Sequence, residues 1–542
     1  MDVHIFERDQ KFVIEQFRQG CFDYLDGVSE VMETEFFRYI GAKNILMELA
    51  RTFPSPSKKE PDVPVWFYMA SDISMRLHGV HSYNAYPYVV RCGGMLNAFG
   101  PELGRKVKHP QTGDVTLACN GFNEKNYYDR QTPCDKDFLR KFSKKTEAEA
   151  LLEWYNRDVV RTFKKHKAFD PDGIFIGDGS YIFVPDNPNY ENSTRLFFDE
   201  HGHPVSKEAR DKMTRAQLQR CQWRRCYKMV SLLHTDRDRS FFFCMGLRVL
   251  PGNAGECPVL YDLVREVVAA VGGGVIKRLI LDRGFIDGAE IGRCKKEHGI
   301  DVLIPLRVNM DLYQDALGLL KGGDIRFMPY EAEPTKPVTI PRPVEMPEEL
   351  RRREKKRQKT LRERKKEEPP PSPDKVLVRS EVAGIRGFRW ERCPLPLCLI
   401  VNRETFADGH EHLWMLLDTK PLVHRDDPAA RRTEYALRTL IEEEHRQVKC
   451  FWDLANFTSP NFNLVVNQIA FVLLSYSLLQ LYFLRKGRKE LNRRTRSRAR
   501  DYLLPQDSFI IIYYASKFAI LSTLEYTELL LTLSEEARAK IL

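Results

Sequence analysis

Residues Tyr435–Lys449 read YALRTLIEEEHRQVK. The run lacks Pro and Gly and is rich in Leu, Glu, Arg and Lys, so it predicts a helix. At ~100° per residue, Tyr435, Arg438, Glu442, His445, Arg446 and Lys449 share one face. Leu437, Leu440, Ile441, Val448 and Phe451 share the other. The apolar face implies a core beneath it. The polar face sets one carboxylate among cations and a phenol, which suits a group that holds a metal while its neighbours hold phosphates. A solvated amphipathic helix gives the same periodicity, so the decision rests on what stands upstream.

Upstream, GIFIGD at Gly173–Asp178 is a short apolar run ending in an aspartate. RCYKMVSLLH (225–234) and SFFFCMGLRVL (240–250) predict two more strands. A helical pattern at Cys257–Val271 follows, closed by three glycines. KRLILD at Lys277–Asp282 predicts a fourth strand, again ending in aspartate, and VLIPL at 302–306 a fifth after a helical pattern over 286–298. Three strands, helix, strand, helix, strand is the order of a ribonuclease H-like mixed sheet with helices on both faces. In such a sheet the first and fourth strand ends are neighbours, so Asp178 and Asp282 meet, and a later helix brings Glu442 beside them. Three carboxylates at one point repel unless cations lie between them, and hard, magnesium-class cations suit all-oxygen ligands. Asp172, Asp287, Glu443 and Glu444 fit the pattern less well: Asp172 precedes its strand, Asp287 starts a helix, and the two glutamates point off the polar face.

The fold class expected is therefore mixed α/β. A five-stranded sheet is interrupted by a mainly β insertion and flanked by helical terminal regions. The boundaries read from composition are 1–165 (mainly helical), 166–306 (first catalytic part), 307–431 (insertion), 432–485 (second catalytic part) and 486–542 (basic linker and C-terminal helices). The insertion holds the charged run Arg351–Lys366, and RKGRKELNRRTRSRAR at 485–500 is densely basic. The 542 residues carry 85 Lys+Arg against 75 Asp+Glu, a net +10 that matters through this clustering. Twelve Cys without a C-x-x-C pair suggest reduced thiols. LVVNQIAFVLLSYSLLQLYFL at 464–484 is long and apolar, but Asn467, Gln468 and Gln480 interrupt it, which predicts a core helix and no membrane partner.

The spacing Y-x-x-R-x-x-x-E-x-x-x-x-x-x-K at Tyr435, Arg438, Glu442 and Lys449 resembles the signature of insertion-sequence DDE transposases of the insertion sequence family 4 type. GDGS around Asp178, PGNAGE at 251–256 and D-R-G-F at 282–285 resemble that family's other motifs. The resemblance covers roughly 170–310 and 432–485. It implies a DNA transposase in which Asp178, Asp282 and Glu442 are catalytic and ligate two Mg2+ ions, with Mn2+ able to substitute. Tyr435, Arg438 and Lys449 would grip DNA phosphates, and Arg446 on the same face joins them. It implies cleavage at the element's terminal inverted repeats and transfer of the 3′-hydroxyl into target DNA by a homodimer on paired ends, in a prokaryotic cytoplasm at the nucleoid. It assigns end recognition to 1–165. Some members hold a flipped base on an insertion tryptophan, and Trp390 and Trp414 are both open to that role. The competing readings are a ribonuclease H-like DNA nuclease without strand transfer and a domesticated DNA-binding protein that no longer cuts.

Overall fold

The computed structural model describes residues 7–28, 31–57, 63–86, 136–323, 325–332, 376–487, 509–515 and 517–541, with scattered residues between 89 and 117 and at 492. The charged run 351–366 and nearly all of the basic run 485–500 lie outside the described residues.

Among the described residues the N-terminal region is mainly helical, as expected. α1 (Glu7–Arg18), strand β1 (Tyr24–Val28), α2 (Val31–Ala42), α3 (Ile45–Thr52), α4 (Val65–Leu77) and α5 (Lys136–Lys145) lead to α6 (Ala148–Trp154). A π-turn at Tyr155–Val159 joins α6 to α7 (Val160–Lys165). The turn docks on the sheet: Asn156 accepts from Leu247 N–H (2.8 Å) and donates to Leu247 O (3.1 Å).

The central sheet follows. β2 (Ile174–Val184) carries Asp178. After it come β3 (Thr194–Phe198), the short helices α8 (Lys207–Arg210) and α9 (Arg215–Arg220), β4 (Gln222–Thr235), β5 (Phe243–Pro251), α10 (Cys257–Val271), β6 (Arg278–Leu281), α11 (Gly288–His298) and β7 (Asp301–Pro305). β4 pairs antiparallel with both β2 and β5, while β2–β6 and β6–β7 are parallel. The lateral order β5-β4-β2-β6-β7 is that of a ribonuclease H-like sheet. Apolar runs bounded by turns form these strands, because both faces are covered by helices.

The chain beyond β7 departs from expectation. A helix, α12 (Asp311–Lys321), comes first. Then β8 (Met328–Pro329), β9 (Leu377–Trp390), β10 (Cys393–Phe406) and β11 (Glu411–Asp418) form no sheet of their own. β11 pairs antiparallel with β7, Leu417 opposite Ile304, so the insertion widens the catalytic sheet to ten strands. An edge strand presents unpaired N–H and C=O groups that take up another strand, and the free edge of β7 is used in this way.

The helix predicted over 435–449 is broken. α13 (Asp427–Tyr435) ends in a 3₁₀ turn, Ala436–Arg438, before α14 (Thr439–Phe451). α15 (Phe462–Arg485) is the buried core helix the polar interruptions predict, and 94% of its most apolar window is covered by protein. Those polar groups are satisfied within the fold. Gln480 Oε1 accepts from Phe242 N–H (2.7 Å), and Asn467 donates to Tyr68 Oη (2.8 Å).

The C-terminal segment is not purely helical. Phe509–Tyr514 (β12) and Lys517–Ser522 (β13) form a hairpin before α16 (Thr523–Leu531) and α17 (Glu535–Ile541). β1 pairs with β12, Tyr24 opposite Tyr513, so the two ends of the chain share a sheet. Val13, Phe17, Ile512, Ala519, Leu521, Leu529 and Leu533 make their core, separate from the main one. FIIIYY is a continuous apolar run, which does not distinguish strand from buried helix.

A buried ion network fastens β6 to the insertion. Arg278 donates to both oxygens of Asp418 on β11 (2.6 and 2.8 Å) and to Glu434 on α13 (2.9 Å). Arg431 also pairs with Asp418 (2.9 Å). Burial opposes the charge on Arg278, but Asp418 and Glu434 outweigh it and raise its pKa above the ordinary value. Removing one member of a buried pair leaves an uncompensated charge. Asp418→Asn is therefore expected to cost about 3–5 kcal/mol in a denaturant titration, while the joint Arg278→Met, Asp418→Leu change costs less than the sum of its parts.

Candidate active site

Register brings the two aspartates together. Gly177 of β2 lies opposite Leu281 of β6, and the next residue on each strand is Asp178 and Asp282. Asp282 follows directly on β6 and precedes the short turn Arg283–Phe285 without a side-chain capping bond. Asp178 accepts from Gly179 N–H (2.8 Å). Burial pushes the Asp178 carboxyl up to about 7. The Gly179 amide and Arg438 oppose that rise, and the charges of Asp282 and Glu256 add to it.

Arg438 is the common neighbour. Its guanidinium feels the charges of Tyr435, Glu442, Asp282 and Asp178, and despite burial its pKa is raised. Tyr435 feels Arg438, Asp282, Asp178 and Glu442 in addition to its own burial, and its phenol is raised. The break between α13 and α14 therefore turns Tyr435 and Arg438 toward the strand ends. Glu442 is half-exposed, and its carboxylate is ion-paired with Arg438. Among the described residues no three carboxylate, imidazole or thiol side chains stand close enough to share one ion. The two aspartates interact directly, and Glu442 reaches them through Arg438.

This donor set suits a hard divalent cation. It is made of carboxylate oxygens, and Asp178 is recessed without a cationic partner in contact, so a cation would relieve its cost of ionisation. Asp178, Asp282 and Glu442 are the residues that would hold the ion, Glu442 once released from Arg438.

The rest of the predicted polar face divides. Lys449 is half-buried against β2, donating to Ser180 Oγ and to Tyr181 O (2.8 Å), and desolvation lowers its pKa to about 8. His445 is buried and shares a 2.8 Å hydrogen bond with Ser231 Oγ, and burial holds its ring neutral with a pKa near 3. Arg446 pairs with Glu443 and lies over Phe451, away from the aspartates. Asp172 pairs with Arg237 (2.7 Å), and Asp287 caps α11. Trp414 lies against Tyr435, ring centroids 6.2 Å apart, with Arg432 over it. Trp390 lines an open cavity of ≈ 610 Å³ with Arg307, Asn309 and Arg392 beside the Asp282 turn.

Glu256 is a residue the sequence reading passed over. Its carboxylate lies so close to Gly179 that a Cβ there would sit 2.1 Å from Oε2, and Gly284 is also near it. It contacts β2 at Gly179, a residue that faces away from Asp178, and pairs with Lys228 (3.6 Å). It therefore braces β2 behind Asp178 and lies near the turn that follows Asp282. The sequence signal was the glycine directly after Asp178 and the one two residues after Asp282.

A model of the "Transposase DDE domain" family matches residues 190–478, more than half of the chain. The match contains Asp282 and Glu442 and begins after Asp178, whose place rests on the strand register. No curated protein matches the chain. Among solved structures it is similar to a piggyBac transposase in a synaptic complex with hairpin DNA. The identity is 10% and the TM-score 0.34, over 90% of this chain and 74% of that one.

Glu444, one residue beyond Glu443, gives a test of the helix's inner face. It is fully buried, neither carboxylate oxygen has a hydrogen-bond partner among the described residues, and burial pushes its pKa to about 8. A carboxyl raised above its unfolded value favours folding while protonated. That contribution is complete below the unfolded pKa and lost as pH rises through about 8. Glu444→Gln is expected to unfold at higher urea than the parent at pH 8, by about 3 kcal/mol, with the gap closing toward pH 5.

Proposed function

The chain belongs to the DDE transposases, and from that premise we propose that it cuts DNA at the ends of a mobile element and joins the freed 3′-hydroxyl to target DNA. The observation that carries this reading is the parallel register of β2 and β6, which sets Asp178 beside Asp282 with Arg438 in reach of both and of Glu442. DNA transposition and divalent-metal use are general to the family. The finer assignment to the insertion sequence family 4 type rests on the Tyr435, Arg438, Glu442, Lys449 spacing. Two Mg2+ ions and a homodimer on paired inverted repeats belong to the same finer reading.

Divalent cations, when bound, activate the attacking oxygen and stabilise the leaving oxygen of an in-line displacement at phosphorus. The chain's own residues supply the rest. Asp178, within β2, and Asp282, just after β6, present carboxylate oxygens from fixed backbone, so little side-chain freedom is lost on binding. Arg438 holds Glu442 in waiting and, once Glu442 leaves it, has a guanidinium fork free for a phosphate. Tyr435, its phenol kept protonated, is a hydrogen-bond donor beside that phosphate. Lys449, engaged with Ser180 and Tyr181, fixes α14 to the strand that carries Asp178 and so acts on the substrate through the position of the helix.

The test uses labelled duplexes made from the DNA flanking the gene, with Mg2+ or Mn2+. Asp178→Asn, Asp282→Asn and Glu442→Gln are each expected to lose strand cleavage while still retarding the duplex in a gel. Joined products from the parent protein are expected alongside cleavage. Nicks alone would reduce the activity to that of a nuclease, and normal cleavage by any of the three variants would remove the proposal.

A further inference from the structure

Between β3 and β4 the chain makes an excursion that buries almost nothing. Neither α8 nor α9 contains a buried residue. Their order comes from local bonds: Ser206 caps α8, and Thr214 with Gln217 forms a capping box on α9. Such an arm gains little for the fold, yet it flanks a large exposed ring. Trp223, at the start of β4, is 45% exposed. Phe197 of β3 lies opposite it, ring centroids 5.2 Å apart. The guanidinium carbons of Arg195 and Arg210 stand 5.3 and 5.7 Å from the indole centroid.

Charge favours a polyanion here. Among the described residues Lys207, Arg210, Lys212 and Arg215 have no carboxylate partner within ion-pair distance, while Arg195 pairs with Asp186 and Arg220 with Glu200. Orientation relates the patch to the acidic site. Ser231 of β4 lies opposite Asp178, and alternate residues of a strand share a face, so Trp223 looks out from the same face of the sheet as Asp178. Eight residues of strand separate Ser231 from Trp223, roughly 27 Å along the sheet.

We propose that this arm is a platform for an unpaired DNA strand leading away from the cut along the same face of the sheet, with Trp223 stacking on a base and Arg195 and Arg210 taking the adjoining phosphates. It rests on the transposase reading. Flat aromatic faces with neighbouring cations bind unpaired bases of any sequence, whereas a continuous duplex keeps its base faces stacked inside.

The full-length protein is tested in EDTA, so that nothing is cut, by fluorescence anisotropy with a blunt duplex and with the same duplex carrying a single-stranded thymidine tail. Trp223→Ala is expected to weaken binding of the tailed duplex by about 10-fold and of the blunt one by less than about twofold. Trp223→Phe, which keeps a stacking face, is expected to recover most of the loss. Arg210→Glu is expected to weaken both. Exposure of the ring predicts an unchanged thermal melt for Trp223→Ala. Unchanged binding to both duplexes, or an equal loss on both, would overturn the proposal. So would a fall in oligomer mass with DNA binding intact, which would make the patch a protein contact. Binding is read with no cutting, so a failure of cleavage leaves this comparison intact.

Discussion

Arg278 and Asp418 form the buried ion pair that holds the catalytic half together. Arg278 begins the short strand that ends at Asp282, and Asp418 ends the strand that brings the insertion back to the sheet. Glu434 and Arg431 close the network from α13, one residue before Tyr435. A long excursion separates the second aspartate from the glutamate in sequence. The network removes that separation in space, because the strand of one and the helix leading to the other are pinned to the same side chains. Ions this deep cost desolvation and are tolerated only when each has its partners. Here the bidentate Arg278–Asp418 contact and the second arginine meet that condition.

Around the acidic residues the balance is reversed. Asp178 and Asp282 face each other with Arg438 as their nearby cation, and burial holds Asp178 partly protonated near neutrality. Arg438 also carries Glu442. The resting arrangement therefore shares one guanidinium among three carboxylates, too little charge to draw them together. A divalent cation changes that balance, since it offers two charges at the point where the aspartates converge. Behind them, Glu256, paired with Lys228, fills the space left by Gly179, which is why that position of β2 cannot take a side chain.

Much of this was legible in the chain. The five sheet strands and their order follow from apolar runs bounded by turns, and the two runs that close on aspartate are the ones whose register sets Asp178 beside Asp282. What was not legible depends on contacts between distant segments. Nothing local says that the insertion's strands join β7 at its free edge, since Leu417 and Ile304 find each other only in the fold. Nothing local pairs Tyr24 with Tyr513, and FIIIYY reads as readily as a helix. The predicted polar face failed in part for the same reason. The 3₁₀ turn at 436–438 rotates Tyr435 and Arg438 relative to α14, and the proximity of β2 and β4 turns Lys449 and His445 into packing residues. The arm at 199–221 went unread because short, polar, capped helices carry no apolar period.

The account stands on the claim that the two aspartates and Glu442 close on a shared cation. Crystals grown with Mn2+ test it most directly, by anomalous scattering at the manganese edge. The expected result is a manganese peak between Asp178 and Asp282, with the Glu442 carboxylate turned from Arg438 to meet it. A peak elsewhere, or no peak with Glu442 still on Arg438, would contradict the account.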